Sequence, residues 1–275
     1  MDWSQVFNFN DYAQILPLIT NSIIAAALLG LAGGLIGIFV MVRDASFAVH
    51  GISELSFAGA AIALLLGVNV VAGSIVGSFV AAGVIAVLGI KAKERNSVIA
   101  VLMPFGLGVG ILALSLYRGR AANKFGLLTG QISAVDDTAV LALVGITVFV
   151  IAVLFVIWRP LQFSSLDGEV AAARGVPTKT LGVVFLLLLG LTVAATVQVV
   201  GALLALSLLV TPAASALKVT QSPRLAPVLS VLFALTASVG GILLAAGGSL
   251  PISPYVTTIS FFIYGACRLI AKVRA

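Results

Sequence analysis

The sequence predicts an all-helical protein that crosses a membrane many times. Three observations carry that prediction. Of its 275 residues, 61% are hydrophobic and only 9% charged, against roughly a quarter charged in soluble domains, and the mean hydropathy is +1.24. The apolar residues fall into stretches of about 20, the length a helix needs to span hydrocarbon. The basic residues gather between alternate stretches.

Taken in order, the stretches cover 20–42, 45–66, 69–90, 97–117, 139–158, 181–199, 200–217, 225–246 and 254–271, after an interfacial lead-in at 10–19. The sixth and seventh run together through Gln198 and Gly201. They read as two spans or as one broken or re-entrant unit, so the crossing number is eight or nine. Arg43; Lys91, Lys93 and Arg95; Arg159, Arg174 and Lys179; Lys218 and Arg224; and Arg268, Lys272 and Arg274 make twelve of the fifteen basic residues. Only Arg118, Arg120 and Lys124 fall on the other side. With nine crossings, the positive-inside rule places the N-terminus outside and the C-terminus in the cytoplasm, and the bias supports an odd number of crossings.

No hydrophilic block is long enough for a soluble domain, so residues 1–275 are expected to form one membrane domain. An energy-coupling or ligand-capturing domain must be another polypeptide. The net charge of +6 reports orientation, not affinity for nucleic acid. Cys267, the only cysteine, permits neither an internal disulfide nor a thiolate metal cluster. The opening MDWSQVFNFNDYAQ lacks the basic region of a cleaved signal peptide, so the first apolar helix is expected to stay as an anchor.

His50, the only histidine, and Glu54 lie inside the second stretch. A carboxylate in hydrocarbon is costly, which makes an intramembrane ionisable pair a functional-site hypothesis. Four residues apart, they share one face of a helix, one turn from each other. An imidazole and a carboxylate so placed bind a divalent ion, relay a proton, or neutralise each other, and the residue types leave all three open. Neutral imidazole suits zinc and related metals, and carboxylate accepts zinc or manganese. One chain offers two donors and a homodimer four. Ser53 offers a hydroxyl to the ion or a cap to the backbone. Gln198 falls near the outer end of its span, and Thr211 satisfies local backbone before Pro212. Asp136 and Asp137 are expected as solvated acids of an outer loop. Arg118, Arg120 and Lys124 face a capture protein or lipid headgroups.

The longest cytoplasmic connection, RPLQFSSLDGEVAAARGVPTKT from Arg159 to Thr180, encodes a short helix. Asp167 caps its start, Glu169 complements the helix dipole, three alanines propagate it, and Gly175 and Pro177 end it. About seven residues do not hold a helix alone in water. It packs on its own membrane domain, or docks into a cytoplasmic motor subunit and transmits rigid-body motion. The chain has no Walker-type phosphate loop and is not expected to hydrolyse ATP, and GLGVG at 106–110 lies inside a helix without the preceding strand of a nucleotide turn. Gly30/Gly34, Gly33/Gly37 and Gly73/Gly77 have the spacing of close helix packing.

Four segments resemble the permease subunits of bacterial zinc/manganese-type metal ABC transporters. The run from Arg43 to Gly67 is similar to that family's second-helix signature, G-D-A-L-S-H-A-x-L-P-G. Aligned on Gly59, His50 stands at the family's aspartate, Ser53 at its serine and Glu54 at its histidine, while Ala58 replaces its proline. The acid and the imidazole have exchanged places with their spacing kept. LDGEVAAARGV (166–176) resembles the coupling-helix segment. QVVGALLALSLLVTPAASAL (198–217) resembles the most specific block, with Gly201, Pro212 and Ala216 in register. NSVIAVLMPFGLGVGILALSL (96–116) matches the fourth helix more loosely.

The resemblance implies an all-α ABC importer permease fold of the metal-chelate/vitamin type, working as a homodimer in a bacterial cytoplasmic membrane. It implies His50 and Glu54 as contacts for a transported divalent ion, zinc slightly ahead of manganese. Asp167, Glu169, Arg174, Gly175 and Val176 would form the coupling helix for a cytoplasmic ATP-binding subunit, where the ATP would bind. An extracytoplasmic metal-binding protein would deliver the ion. The competing reading is an ion-coupled secondary transporter or channel without an ATPase. Such carriers often show inverted repeats; no convincing internal repeat is present, and the capped helix has no role there.

Overall fold

The computed structural model describes residues 12–89, 92–119, 126–127, 135–246 and 251–274. Among them the regular structure is entirely helical. A lead-in, α1 (Tyr12–Leu18), is tied by the Tyr12 hydroxyl, which donates to the Leu243 carbonyl at 2.7 Å. Then come α2 (Thr20–Val42), α3 (Ser46–Leu66), α4 (Val70–Leu88), α5 (Ala92–Leu116), α6 (Asp137–Leu166), the short α7 (Gly168–Ala173) and α8 (Thr178–Val200). A 3-10 turn (Ala202–Leu204), α9 (Ala205–Leu209) and α10 (Thr211–Val219) lead to α11 (Leu225–Ala246) and α12 (Ile252–Arg274). Among the described residues, eight helices are long and apolar enough to cross a membrane.

Two differences from the sequence expectation matter. The fifth span does not stop at residue 158. α6 continues through Arg159 and Pro160 to Leu166, so the connection expected from Arg159 begins only at Asp167. Proline removes one backbone donor, and the helix persists because Leu161 and Ser164 beyond it are buried.

The stretch expected over 200–217 is three short pieces. Gly201 breaks the chain at φ +91°, and Pro212 stands in the first turn of α10, where it cannot donate to the carbonyl four residues back. Neighbouring contacts give this leg its direction. α11 runs antiparallel to α2, because Ser230 and Ser238 donate to the carbonyls of Gly34 (2.7 Å) and Ala26 (3.0 Å). α8 runs antiparallel to α4, with Ser74 donating to Ala194 and Gln198 to Val70, both at 3.4 Å. The broken leg lies beside α2, Leu208 against Gly33, and Leu209 and Ala213 against Gly37. It therefore carries the chain from the Val70 end of the bundle back toward the Arg43 end. Among the described residues, eight long helices run the length of the bundle, and this leg runs along it once more.

Gly37 is required by that arrangement, since a Cβ there would collide with the Leu209 carbonyl oxygen. Gly73 and Gly77 likewise set α4 against the backbone of Gly59 and Leu55 in α3. The bundle has a centre and a rim. In α2, α3 and α8, 67% of the spanning window is buried, against 17% in α12.

Candidate functional site

α3 is central because its neighbours come close. α4 crosses it antiparallel, with the Ser56 and Ser74 hydroxyls 2.7 Å apart. α5 lies parallel to it, Ile99 at Gly51, Gly106 at Leu55 and Gly110 at Phe57. A Cβ on Gly106 would stand 2.9 Å from the Glu54 carbonyl carbon. The GLGVG run is thus a packing surface for the site helix. The 3-10 turn and α9 also pack on α3.

On this helix Phe47, His50 and Glu54 share one face. Phe47 is 63% exposed, the His50 side chain 28% and the Glu54 side chain 4%. With a rise of about 1.5 Å per residue, His50 stands ~6 Å and Glu54 ~12 Å from the start of α3. The pair forms a short track from a partly open imidazole to a buried acid. His50 Nε2 lies 3.7 Å from Glu54 Oε1, within ion-pair range but beyond good hydrogen-bond length. Glu54 Oε2 is buried and, among the described residues, meets no hydrogen-bond donor. A buried carboxylate oxygen without a donor is costly, and it remains free to accept a proton or a cation. Among the described residues, no three His, Cys, Asp or Glu side chains gather as a metal cluster, so the pair offers two donors.

The other candidate residues are placed as follows. Ser53 donates to the His50 carbonyl at 2.8 Å, so its hydroxyl serves the backbone. Gln198 reaches Val70 at the end of α4. Asp136 and Asp137 are not free loop acids. Asp136 caps α6 by accepting from Ala139 N–H (2.8 Å), and Asp137 accepts from the Asn21 side chain (2.8 Å), tying α6 to α2. Arg118 is exposed, and Arg120, Lys124 and Lys91 lie outside the described residues. Gly201 opens the broken leg, Pro212 stands within it at the start of α10, and Ala216 is fully buried in α10.

α7 has the ends its sequence encodes. The Asp167 side chain accepts from Glu169 N–H (3.1 Å) and Val170 N–H (2.9 Å). Gly175 is left-handed at φ +82°, and Val176 N–H returns to Ala171 O while Gly175 N–H returns to Ala172 O, each at 3.0 Å. This paired closure is the Schellman stop. Glu169 and Arg174 are exposed. One residue has a larger role than its sequence context signals. Arg43, in the sequence one of several basic loop residues, stands where α2, α3, α6 and α8 meet.

A helical bundle that buries an acid beside a partly open imidazole on its central helix has the frame of a polytopic membrane transport protein. The chain belongs to the ABC 3 transport family, which it matches over residues 15–270. It is 28% identical over 223 residues to the manganese transport system membrane protein MntC of Halalkalibacterium halodurans, across 81% of this chain and 76% of that protein. It is 24% identical over 247 residues to the high-affinity zinc uptake system membrane protein ZnuB of Haemophilus influenzae, across 88% and 94%. Among solved structures it is similar to PsaBC from Streptococcus pneumoniae in complex with Fab, with a TM-score of 0.85, 24% identity and coverage of 97% of this chain and 100% of that one. That likeness shows the fold. The chain is thus a metal ABC transporter permease, as its α3, α7 and Gly201–Ala216 segments suggest.

Proposed function

We propose that this chain forms the translocation path of an ATP-driven importer for a first-row divalent metal ion, with zinc ahead of manganese. The observation that carries the reading is the buried Glu54 carboxylate with its unpartnered oxygen, one turn from His50. A nitrogen and a carboxylate donor on one face suit such an ion. The imidazole favours zinc; the relative MntC, named for manganese, makes that ion the direct competitor. Two donors do not complete a tetrahedral shell. Two copies of the chain, with their α3 helices facing across a pore, supply four. An incomplete site in each chain is consistent with transport, since the ion must bind and then leave.

In this reading the Arg43 end of the bundle faces the cytoplasm, in a bacterial plasma membrane. The basic residues at the start of α11 and the end of α12 lie at the same end, which the positive-inside rule favours. The N-terminus is then outside. An ATP-binding subunit receives α7 of each copy, through Asp167, Glu169, Arg174, Gly175 and Val176. ATP is bound and hydrolysed there, and this chain is not the enzyme. A capture protein delivers the ion at the opposite end. Closure of the motor moves α7 and alternates access to the His50–Glu54 track.

The test is reconstitution. Purified permease in liposomes, with its ATP-binding subunit and ATP inside the motor compartment, accumulates radiolabelled zinc or manganese, and each ion competes with the other. Uptake of equal rate without the subunit or without ATP sinks the importer in favour of a secondary carrier or channel.

A further inference from the structure

Arg43 occupies the corner between α2 and α3, and the backbone there is tightly folded. Arg43 N–H returns to Phe39 O at 3.0 Å, Asp44 N–H to Met41 O at 3.2 Å, and Ala45 N–H to Val40 O at 2.8 Å. Asp44 adopts a left-handed φ of +52° to make the turn. A corner closed this way moves with α3 as one piece.

The guanidinium engages both roots of α7. Nη1 donates to the hydroxyls of Ser164 (3.2 Å) and Ser165 (3.1 Å) in the last turn of α6. The cation lies over the Phe185 ring of α8, 5.5 Å from its centroid, and Nη2 lies against Gly182, where a Cβ would approach it to 3.6 Å. Ser165 precedes the α7 cap Asp167 by two residues, and Gly182 follows the first residue of α8 by four. One planar group therefore holds the segments on either side of the short helix. From the other side, Arg95 of α5 donates to the carbonyls of Asp44 (3.0 Å) and Arg43 (3.5 Å).

Among the residues whose side chains are described, no carboxylate pairs with these two guanidinium groups, and the one ion pair is His50–Glu54. Burial, and then the Arg95 charge, lower the Arg43 pKa from the usual arginine range. A packed cation kept beside another cation, with its donors aimed at hydroxyls on the α7 root, is poorly explained as a surface charge. Arginine suits the position because its rigid fork bridges two acceptors and stacks on a ring at once, and a lysine ammonium does not.

We propose that Arg43 is the positioning residue that transmits displacement of α7 to α3, and so to the His50–Glu54 pair that begins seven residues later in the chain. The inference rests on α7 being the docking helix of the importer reading. When the α7 roots shift, the guanidinium carries the α2–α3 corner with them, and Arg95 extends the movement to α5, which packs along α3 at Gly51 and Leu55.

The experiment measures metal uptake and ATP hydrolysis side by side in proteoliposomes holding the whole complex. In Arg43→Ala the ATP-binding subunit stays attached, and the metal moved per ATP falls about tenfold, within the range of coupling between distant sites. Arg43→Lys restores only part of the ratio. Ser164→Ala/Ser165→Ala, which leaves Arg43 in place, lowers the ratio by a smaller factor in the same direction. An unchanged ratio in Arg43→Ala overturns the inference alone. So does loss of the subunit in both Arg43 variants, because the residue would then serve assembly. Wild-type complex that takes up no metal with ATP overturns the importer reading and this inference together.

Discussion

At Arg43 the half-buried guanidinium is held by two serine hydroxyls and stands over an aromatic ring, with Gly182 beside it. Further along the same chain, Glu54 has His50 at 3.7 Å as its ion-pair partner and, among the described residues, an oxygen without a donor. Arg43 is half-buried and Glu54 buried, and the fold treats the two ionisable groups oppositely. A group that transmits force gains from being over-held, because slack in its contacts absorbs motion. A group that must take up and release an ion gains from being under-held, because an acid already satisfied by donors has no lone pairs to offer. The cost of leaving Glu54 unsatisfied is borne by the close packing of α3 against α4 and α5 at Gly59, Gly73 and Gly106.

The largest effect expected from this contrast is at the pair. His50→Ala and Glu54→Gln each lower metal uptake by at least ~100-fold, the upper end of what loss of an outer-shell partner alone produces, while thermal stability in detergent changes little. Replacement of an unsatisfied buried acid by an amide that hydrogen-bonds no worse need not destabilise. Undiminished uptake in both variants would reduce the pair to a structural contact. A smaller effect is expected at the supporting glycine. Gly106→Ala forces α5 away from the Glu54 backbone and lowers stability by about 1–3 kcal/mol, the usual range for overpacking, read as a lower unfolding temperature. If stability holds and uptake is normal, the close approach is dispensable to the site. The smallest is at the cap. Asp167→Ala removes the acceptor for Glu169 and Val170 N–H and costs about 1 kcal/mol of α7 stability, seen as weaker retention of the ATP-binding subunit by the detergent-purified complex. Unweakened retention would detach α7 from docking and undercut the contrast at its Arg43 side.

Much of the fold was legible because it is local. The apolar stretches gave the eight long helices, and Asp167, Gly175 and Pro177 gave both ends of α7, since caps depend on a few adjacent residues. The pairing of His50 with Glu54 followed from helical periodicity. The roles of Asp136 and Asp137 were not legible, as nothing in the sequence places Asn21 beside Asp137. The end of α6 was missed because the apolar stretch ends before Arg159, and the burial of Leu161 and Ser164 beyond it is not local information. Gly201 and Pro212 signalled a break in the seventh stretch, but not whether the broken leg turns back or passes through.

By itself, the sequence determined the membrane class of this protein, the positions of its long helices, the spacing of the one intramembrane acid and imidazole, and the caps of α7. Each rests on hydrophobicity or on backbone geometry over a turn or two. The tertiary structure alone decided that the broken leg runs along α2 toward the Arg43 end, that Glu54 Oε2 lacks a donor among the described residues, and that Arg43 grips residues 121 and 122 positions away. Those facts depend on which helices lie side by side, and local periodicity carries no information about neighbours distant in the chain.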